Sequence, residues 1–196
     1  TIVDDESAPT VTLSTSASSI AENSGSTITI TATMSAADTA DVTVAIGTSG
    51  TGTEGTDYGT ISDITISAGS TTGTATFDPT NDSVYEGNET AIVAITGVSG
   101  GSATESGTQS ETITITEDDS APTVTLSTSA SSIAENSVST LTLTATLSNA
   151  TTADVTVALG TSGTGTEGTD YGSISDITIS AGATTGTATF DPTDDS

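Results

Sequence analysis

The chain has no Lys, Arg, His, Cys or Trp, and each absence removes a class of chemistry. Its 196 residues carry 26 Asp plus Glu and a formal net charge of −26. Side-chain salt bridges therefore cannot form. Without basic residues the chain cannot neutralise phosphates, which excludes nucleic-acid partners and disfavours docking to anionic lipid. Without His, Cys or Lys it cannot assemble a Ser–His–Asp triad, a thiolate zinc site or a Schiff base. A two-carboxylate glycosidase would need a sugar-binding groove, and 2 Phe and 3 Tyr are too few aromatics to line one. The sequence therefore reads as non-enzymatic. No apolar run approaches the length of a membrane span, so direct membrane insertion is not expected.

The chain repeats itself. Ser7-Ala8-Pro9-Thr10-Val11-Thr12-Leu13 returns as Ser120-Ala121-Pro122-Thr123-Val124-Thr125-Leu126, an offset of 113 residues that holds without a gap. Positions 7–83 and 120–196 differ at ten places, among them Gly25/Val138, Ile28/Leu141, Ile30/Leu143, Ile46/Leu159 and Asn81/Asp194. A unit of this size is a small domain and not a short solenoid repeat. The expected organisation is the end of a preceding repeat at 1–6, a complete repeat at 7–119, and a second, C-terminally incomplete repeat at 120–196.

Within a unit, apolar β-branched residues alternate with Thr. The stretches Thr27–Met34, Asp41–Ile46 and Glu111–Thr116 have period two, the mark of a strand with one buried face. Shorter candidates are Val11–Leu13, Ile64–Ile66, Thr72–Phe77 and Thr90–Thr96. About seven strands per unit, separated by Gly, Ser, Asp and Asn, predict an all-β fold of tandem immunoglobulin-like Greek-key sandwiches.

The acids gather between strands. Glu22 precedes the long strand, Asp57 closes a Gly-rich loop, Asp82, Glu86 and Glu89 flank the turn into Thr90–Thr96, and Glu117-Asp118-Asp119 ends the last strand. At an effective dielectric of about 20, two carboxylates about 4 Å apart repel by roughly 4 kcal/mol. No protein cation can offset that repulsion. An all-oxygen donor set on irregular loops suits Ca²⁺ better than Mg²⁺ or Zn²⁺. The acids Asp38, Asp41, Glu54, Asp63, Asp78, Glu105 and Glu111 read as surface charges.

Four segments, taken in order, resemble the Calx-beta domain family: Ile20-Ala21-Glu22-Asn23, Gly52-Thr53-Glu54-Gly55-Thr56-Asp57-Tyr58, Asn81 through Glu89, and Ile115-Thr116-Glu117-Asp118-Asp119. The resemblance implies a seven-stranded immunoglobulin-like sandwich with Ca²⁺ at one tip. It implies as ligands Glu22, Asp57, Asp82, the Val84 carbonyl, Glu86, Glu89, Asp118 and Asp119, with Glu117 where the family usually has Asp. In the second repeat the matching candidates are Glu135, Asp170 and Asp195.

The functional expectation is a bacterial-type, extracellular, cell-surface rod: a calcium-stiffened extender of an adhesin. The alternative is a filament or surface-layer subunit assembled by strand addition. Expected partners are neighbouring repeats of the same chain or of identical chains. No residue pattern marks a cell-surface or glycan target.

Overall fold

The computed structural model describes residues 7–194. The expected strand end at 1–6 and the candidate ligand Asp195 lie outside these residues.

The first repeat is a two-sheet sandwich. Its strands in chain order are β1 (Thr10–Thr15), β2 (Ser19–Ala21), β3 (Ile28–Met34), β4 (Val42–Gly50), β5 (Ile64–Ile66) and β6 (Thr72–Phe77), then, after β7 (Val84–Tyr85), which groups with the second unit, β8 (Glu89–Ser99), β9 (Thr104–Glu105) and β10 (Ser110–Thr116). One sheet has the order β6-β3-β1-β9 and the other β2-β10-β8-β4-β5. Between Thr15 and Ser19 the chain crosses from one sheet to the other. There β2 pairs parallel to β10, with Ile20 opposite Ile115 and Ala21 opposite Thr116.

The period-two pattern is what separates core from solvent. On β3, Ile28, Ile30, Ala32 and Met34 are buried while Thr29 and Thr33 are exposed. Val11, Leu13 and Phe77 join them from the same sheet, and Val42, Val44, Ile64, Ile66, Ala91, Val93, Ile113 and Ile115 face them from the other. Each fully buried aliphatic side chain contributes about 1.5–3 kcal/mol relative to exposure. Among the aromatic residues, Tyr58 stacks on Phe77 with centroids 4.9 Å apart and closes one end of the core. On β4 the register shifts between Ala45 and Ile46. The Ile46 amide freed by this bulge donates to Asp63 Oδ1 at 2.9 Å.

The second compact unit comprises Asp119–Ser196 together with the short segment Ser83–Glu86. Its strands are β11 (Val124–Thr128), β12 (Leu141–Leu147), β13 (Ala150–Thr151), β14 (Val155–Val157), β15 (Ile177–Ile179) and β16 (Thr185–Phe190). They form the sheets β11-β12-β16 and β14-β15, and β13 pairs parallel with β7. Local detail repeats that of the first unit. Tyr171 stacks on Phe190 at 5.0 Å, and the Leu159 amide donates to Asp176 Oδ1 at 2.9 Å. A smaller core remains, centred on Ala145, Leu147, Ile177 and Ile179.

The architecture is all-β, with tandem immunoglobulin-like sandwiches. Among the described residues no helix is long and apolar enough to cross a membrane.

Candidate metal centre

The loop before β5 positions Asp57. Gly55 adopts a positive φ of 87°, which lets its amide turn back to the Tyr58 carbonyl at 2.7 Å. The Asp57 amide donates to the Thr53 carbonyl at 2.9 Å. The Asp57 side chain closes the same ring by accepting the Thr53 amide at Oδ2, 2.6 Å away. Within the loop, Glu54 accepts from two groups outside it, the Thr48 hydroxyl at 2.7 Å and the Ile61 amide at 3.2 Å. Asp57 is thereby held rigidly, only 8 % exposed.

Glu22 is positioned by the β2–β10 pairing. Its amide donates to the Thr116 carbonyl at 3.0 Å, and its side chain turns inward, 6 % exposed. Glu22 Oε1 accepts the Asp82 amide at 2.8 Å, which ties the turn at 82 to β2. Just past β10, Glu117 accepts the Gly87 amide at Oε2, 2.7 Å away, and the Asp118 amide at Oε1, 3.1 Å away. Asn23 donates to Asp118 Oδ2 at 2.6 Å, and the Glu117 amide donates to Asn88 Oδ1 at 3.0 Å.

These constraints bring carboxylates into contact. Glu22, Glu117 and Asp118 each place a carboxylate oxygen within 4.8 Å of the others, and Asp57 and Glu89 do so with one another. Gly52 leaves room for this pair, since a Cβ there would lie 3.3 Å from Glu89 Oε2.

The electrostatics follow from burial and like charge. Burial pushes the Glu89 carboxyl up to about 7, helped by the negative charge of Asp57, a hydrogen bond to it, and the charges of Glu22 and Glu117. Burial also raises Glu22. The Asp82 amide opposes that rise, while the charges of Glu117, Asp82 and Asp118 add to it. A raised carboxyl of this kind is the response expected of a buried acid among like charges that lack a counter-ion.

The donor set fits a hard cation. It is all oxygen, it lies on loops of differing geometry, and His and Cys are absent from the whole sequence. Ca²⁺ takes six to eight such oxygens with loose angular demands. Calcium is the cofactor these groups suit.

Of the candidate ligands, Glu22, Asp57, Glu89, Glu117 and Asp118 gather as described. Asp82 is exposed, with its amide on Glu22. Val84, Glu86 and Asp119 lie in stretches that group with the second unit. There Glu135 is exposed, and Asp170 is half-buried and accepts the Thr166 amide. Among the described residues, no three carboxylates of the 120–194 stretch come together.

Two site residues escaped the sequence reading as ligands or supports: Asn23 and Asn88. Both lie inside the motifs, and Asn beside an acid in a loop was the available signal. Several supposed surface charges are in fact acceptors for backbone amides. Asp38 accepts from Ala40 at 3.0 Å and Ser102 at 2.7 Å, and these bonds lower its pKa. Asp41 accepts from Ala68 at 2.8 Å, and Glu105 accepts from Gln109 at 2.7 Å.

No curated protein matches the chain. Among solved structures it is similar to the crystal structure of CBD12 from CALX1.2, at 18% identity over 91% of this chain and 72% of that one, with a TM-score of 0.45. It is also similar to the calcium binding domain CBD12 of CALX1.1, at 16% identity over 90% of this chain and 73% of that one, again with a TM-score of 0.45. Likeness at this level concerns the fold.

These findings correct the functional expectation. The structures it resembles are described as CBD12 from CALX1.2 and the calcium binding domain CBD12 of CALX1.1, and neither description carries an adhesin, a filament or a surface layer. The bacterial-type, extracellular, cell-surface, adhesive and filament readings are withdrawn. They rested on acidity and repetition, which report an ion and a domain array but carry no information on location. What stands is a non-catalytic, calcium-binding, acidic tandem β-sandwich. The Calx-beta domain model matches residues 4–119 and again 117–195, so the chain belongs to the Calx-beta domain family.

Proposed function

We propose that the first repeat is a calcium-responsive regulatory module, in which occupancy of the carboxylate site sets the order of the loops that carry it. One observation supports this most directly. Glu22 and Asp57 are buried carboxylates in a chain with no basic side chain at all. A buried charge requires a partner, and here the partner must come from solution.

The proposed ligands within the first unit are Glu22, Asp57, Asp82, Glu89, Glu117 and Asp118; Val84, Glu86 and Asp119 are proposed only from the family motif. Glu135, Asp170 and Asp195 are proposed to serve the same role in the second repeat. Calcium displaces the proton favoured on Glu89 and cancels the mutual repulsion of Glu22, Glu117 and Asp118. The loops at 51–58, 82–89 and 116–118 hold these groups, so ion binding is read out as loop order. Resemblance to structures described as calcium binding domains is in keeping with this role.

Isothermal titration of the metal-stripped chain with CaCl₂ at pH 7.5 tests the reading. Saturable binding is expected, together with slowed amide exchange at 51–58 and 82–89. The double variant Glu22→Gln/Asp57→Asn is expected to lose both effects. Binding that never saturates, or that the double variant retains in full, sinks the proposal.

A further inference from the structure

Side chains with an N–H to donate are scarce in this chain. Five Asn and one Gln are all it has, since Lys, Arg, His and Trp are absent. Two of the five Asn, Asn23 and Asn88, bond to residues 118 and 117 of the carboxylate site. Each is also the chain neighbour of another site carboxylate, Glu22 in one case and Glu89 in the other. The bonds cross between segments. Asn23 ties the end of β2 to Asp118, and Asn88 ties the entry into β8 to Glu117.

The two contacts have opposite polarity. Asn23 is the donor, its Nδ2 lying 2.6 Å from Asp118 Oδ2. An ionised carboxylate only accepts, so the amide must present its NH₂ there. Asn88 is the acceptor, its Oδ1 taking the Glu117 amide at 3.0 Å. Glu117 returns the contact next door, its Oε2 accepting the Gly87 amide at 2.7 Å. Residues 87–88 and 117 thus hold each other through two bonds, main chain to side chain in both directions. Asn23, Asn88 and Asp118 are exposed. Water can serve each group if its partner is removed, so these bonds add little to global stability. What they fix is direction. Asp118 keeps an oxygen within 4.8 Å of oxygens of Glu22 and Glu117, and the Asn23 amide holds it there against their repulsion.

We infer that Asn23 and Asn88 are positioning residues for the ion: Asn23 aims the Asp118 carboxylate and Asn88 sets the backbone at Glu117, so that calcium meets ligands already in place. Partners that orient metal ligands from outside are typically worth about 10–100-fold in affinity. This role presupposes that the site takes calcium, and neither Asn need touch the ion. Because the polarities differ, one substitution acts oppositely at the two positions. Asn88→Asp keeps an oxygen for the Glu117 amide. Asn23→Asp replaces the donor with a carboxylate facing that of Asp118.

Calorimetric titration of CaCl₂ into the metal-stripped, full 196-residue chain tests this at pH 7.5, with urea melts of the same variants in EDTA. Asn88→Asp should bind at least as tightly as the parent. Asn23→Asp should bind more weakly by about tenfold or more, although its added charge would by itself attract the ion. Asn23→Ala should lose affinity to a similar extent while its urea midpoint in EDTA stays at the parent value, a split that a merely structural role would not produce. In EDTA, Asn88→Ala should speed exchange of the Glu117 amide, and Asn88→Asp should restore its protection. Parent-like affinity in either Asn23 variant overturns the inference and leaves the calcium reading intact. Equal weakening by Asn88→Asp and Asn23→Asp overturns it as well. A parent chain that binds no calcium overturns both.

Discussion

Asp57 and Glu89 hold carboxylate oxygens within 4.8 Å of each other, and the first of the two is almost fully buried. Two like charges so placed are tolerable only if a proton or a metal ion joins them. Burial, with the charge of Asp57 beside it, raises Glu89 from its ordinary 4.5 to about 7.

A pH dependence of stability follows. Between about 4.5 and about 7 the folded protein keeps a proton on Glu89 that the unfolded chain has released. Folding is then linked to proton uptake, so stability falls as pH rises through this window and levels off above it. Glu22, raised for the same reason, acts in the same direction. Thermal melts in EDTA from pH 4.5 to 8 should show this decline, and Glu89→Gln should flatten it. In millimolar calcium the decline should vanish, because the ion stabilises the deprotonated pair.

Glu22 has two duties that substitution separates. Glu22→Gln keeps an acceptor for the Asp82 amide but removes the charge, so calcium affinity should fall by about tenfold or more with stability in EDTA maintained. Glu22→Ala also strands the Asp82 amide, whose lost acceptor costs about 1–3 kcal/mol where the group is shielded from water. Titration calorimetry and urea melts of both variants distinguish the effects.

Glu54 supports the site without belonging to it. It accepts from the Thr48 hydroxyl and the Ile61 amide, which anchors the Asp57 loop to β4. Glu54→Ala should destabilise the first repeat by about 1–3 kcal/mol and weaken calcium binding through loss of loop order. Glu54→Gln should restore most of the stability, since one acceptor remains. Retained loop protection in Glu54→Ala, measured by amide exchange, would count against this role.

Gly50 ends β4 at a φ of 127°, and a Cβ there would lie 2.1 Å from the Thr90 carbonyl oxygen. Both the backbone angle and the close approach require glycine. Gly50→Ala should cost more than the roughly 1 kcal/mol typical of point substitutions. Because Thr90 adjoins Glu89, it should also shift calcium affinity. A denaturation midpoint equal to that of the parent chain would contradict this.

Most of the fold was legible because the long strands obey a strict period. The stretches around Ile30, Val44 and Ile113 alternate cleanly, and all lie in strands with those residues buried. The short parallel strands β2 and β9 were not legible, since two or three residues carry no periodicity and their pairing depends on distant partners. In the site, the motif order pointed to Glu22, Asp57, Glu89, Glu117 and Asp118. It could not show that Glu22 is buried, which follows from β2 lying against β10. The roles of Asp38, Asp63 and Glu105 were hidden for a related reason. Each serves a backbone amide freed by a turn or bulge, and those freed amides exist only once the sheets have formed. Location had no signature at all in the residues around these acids, which is why the surface-adhesin reading went astray.

The stacked pair of Tyr58 and Phe77 gives the molecule a native optical signal. With no Trp in the chain, tyrosine emission is not drained by energy transfer. Tyr58 is buried directly after Asp57 in the sequence, so its fluorescence senses events at the neighbouring carboxylates. Tyrosine emission should therefore report the protein's ion state without a dye or tag.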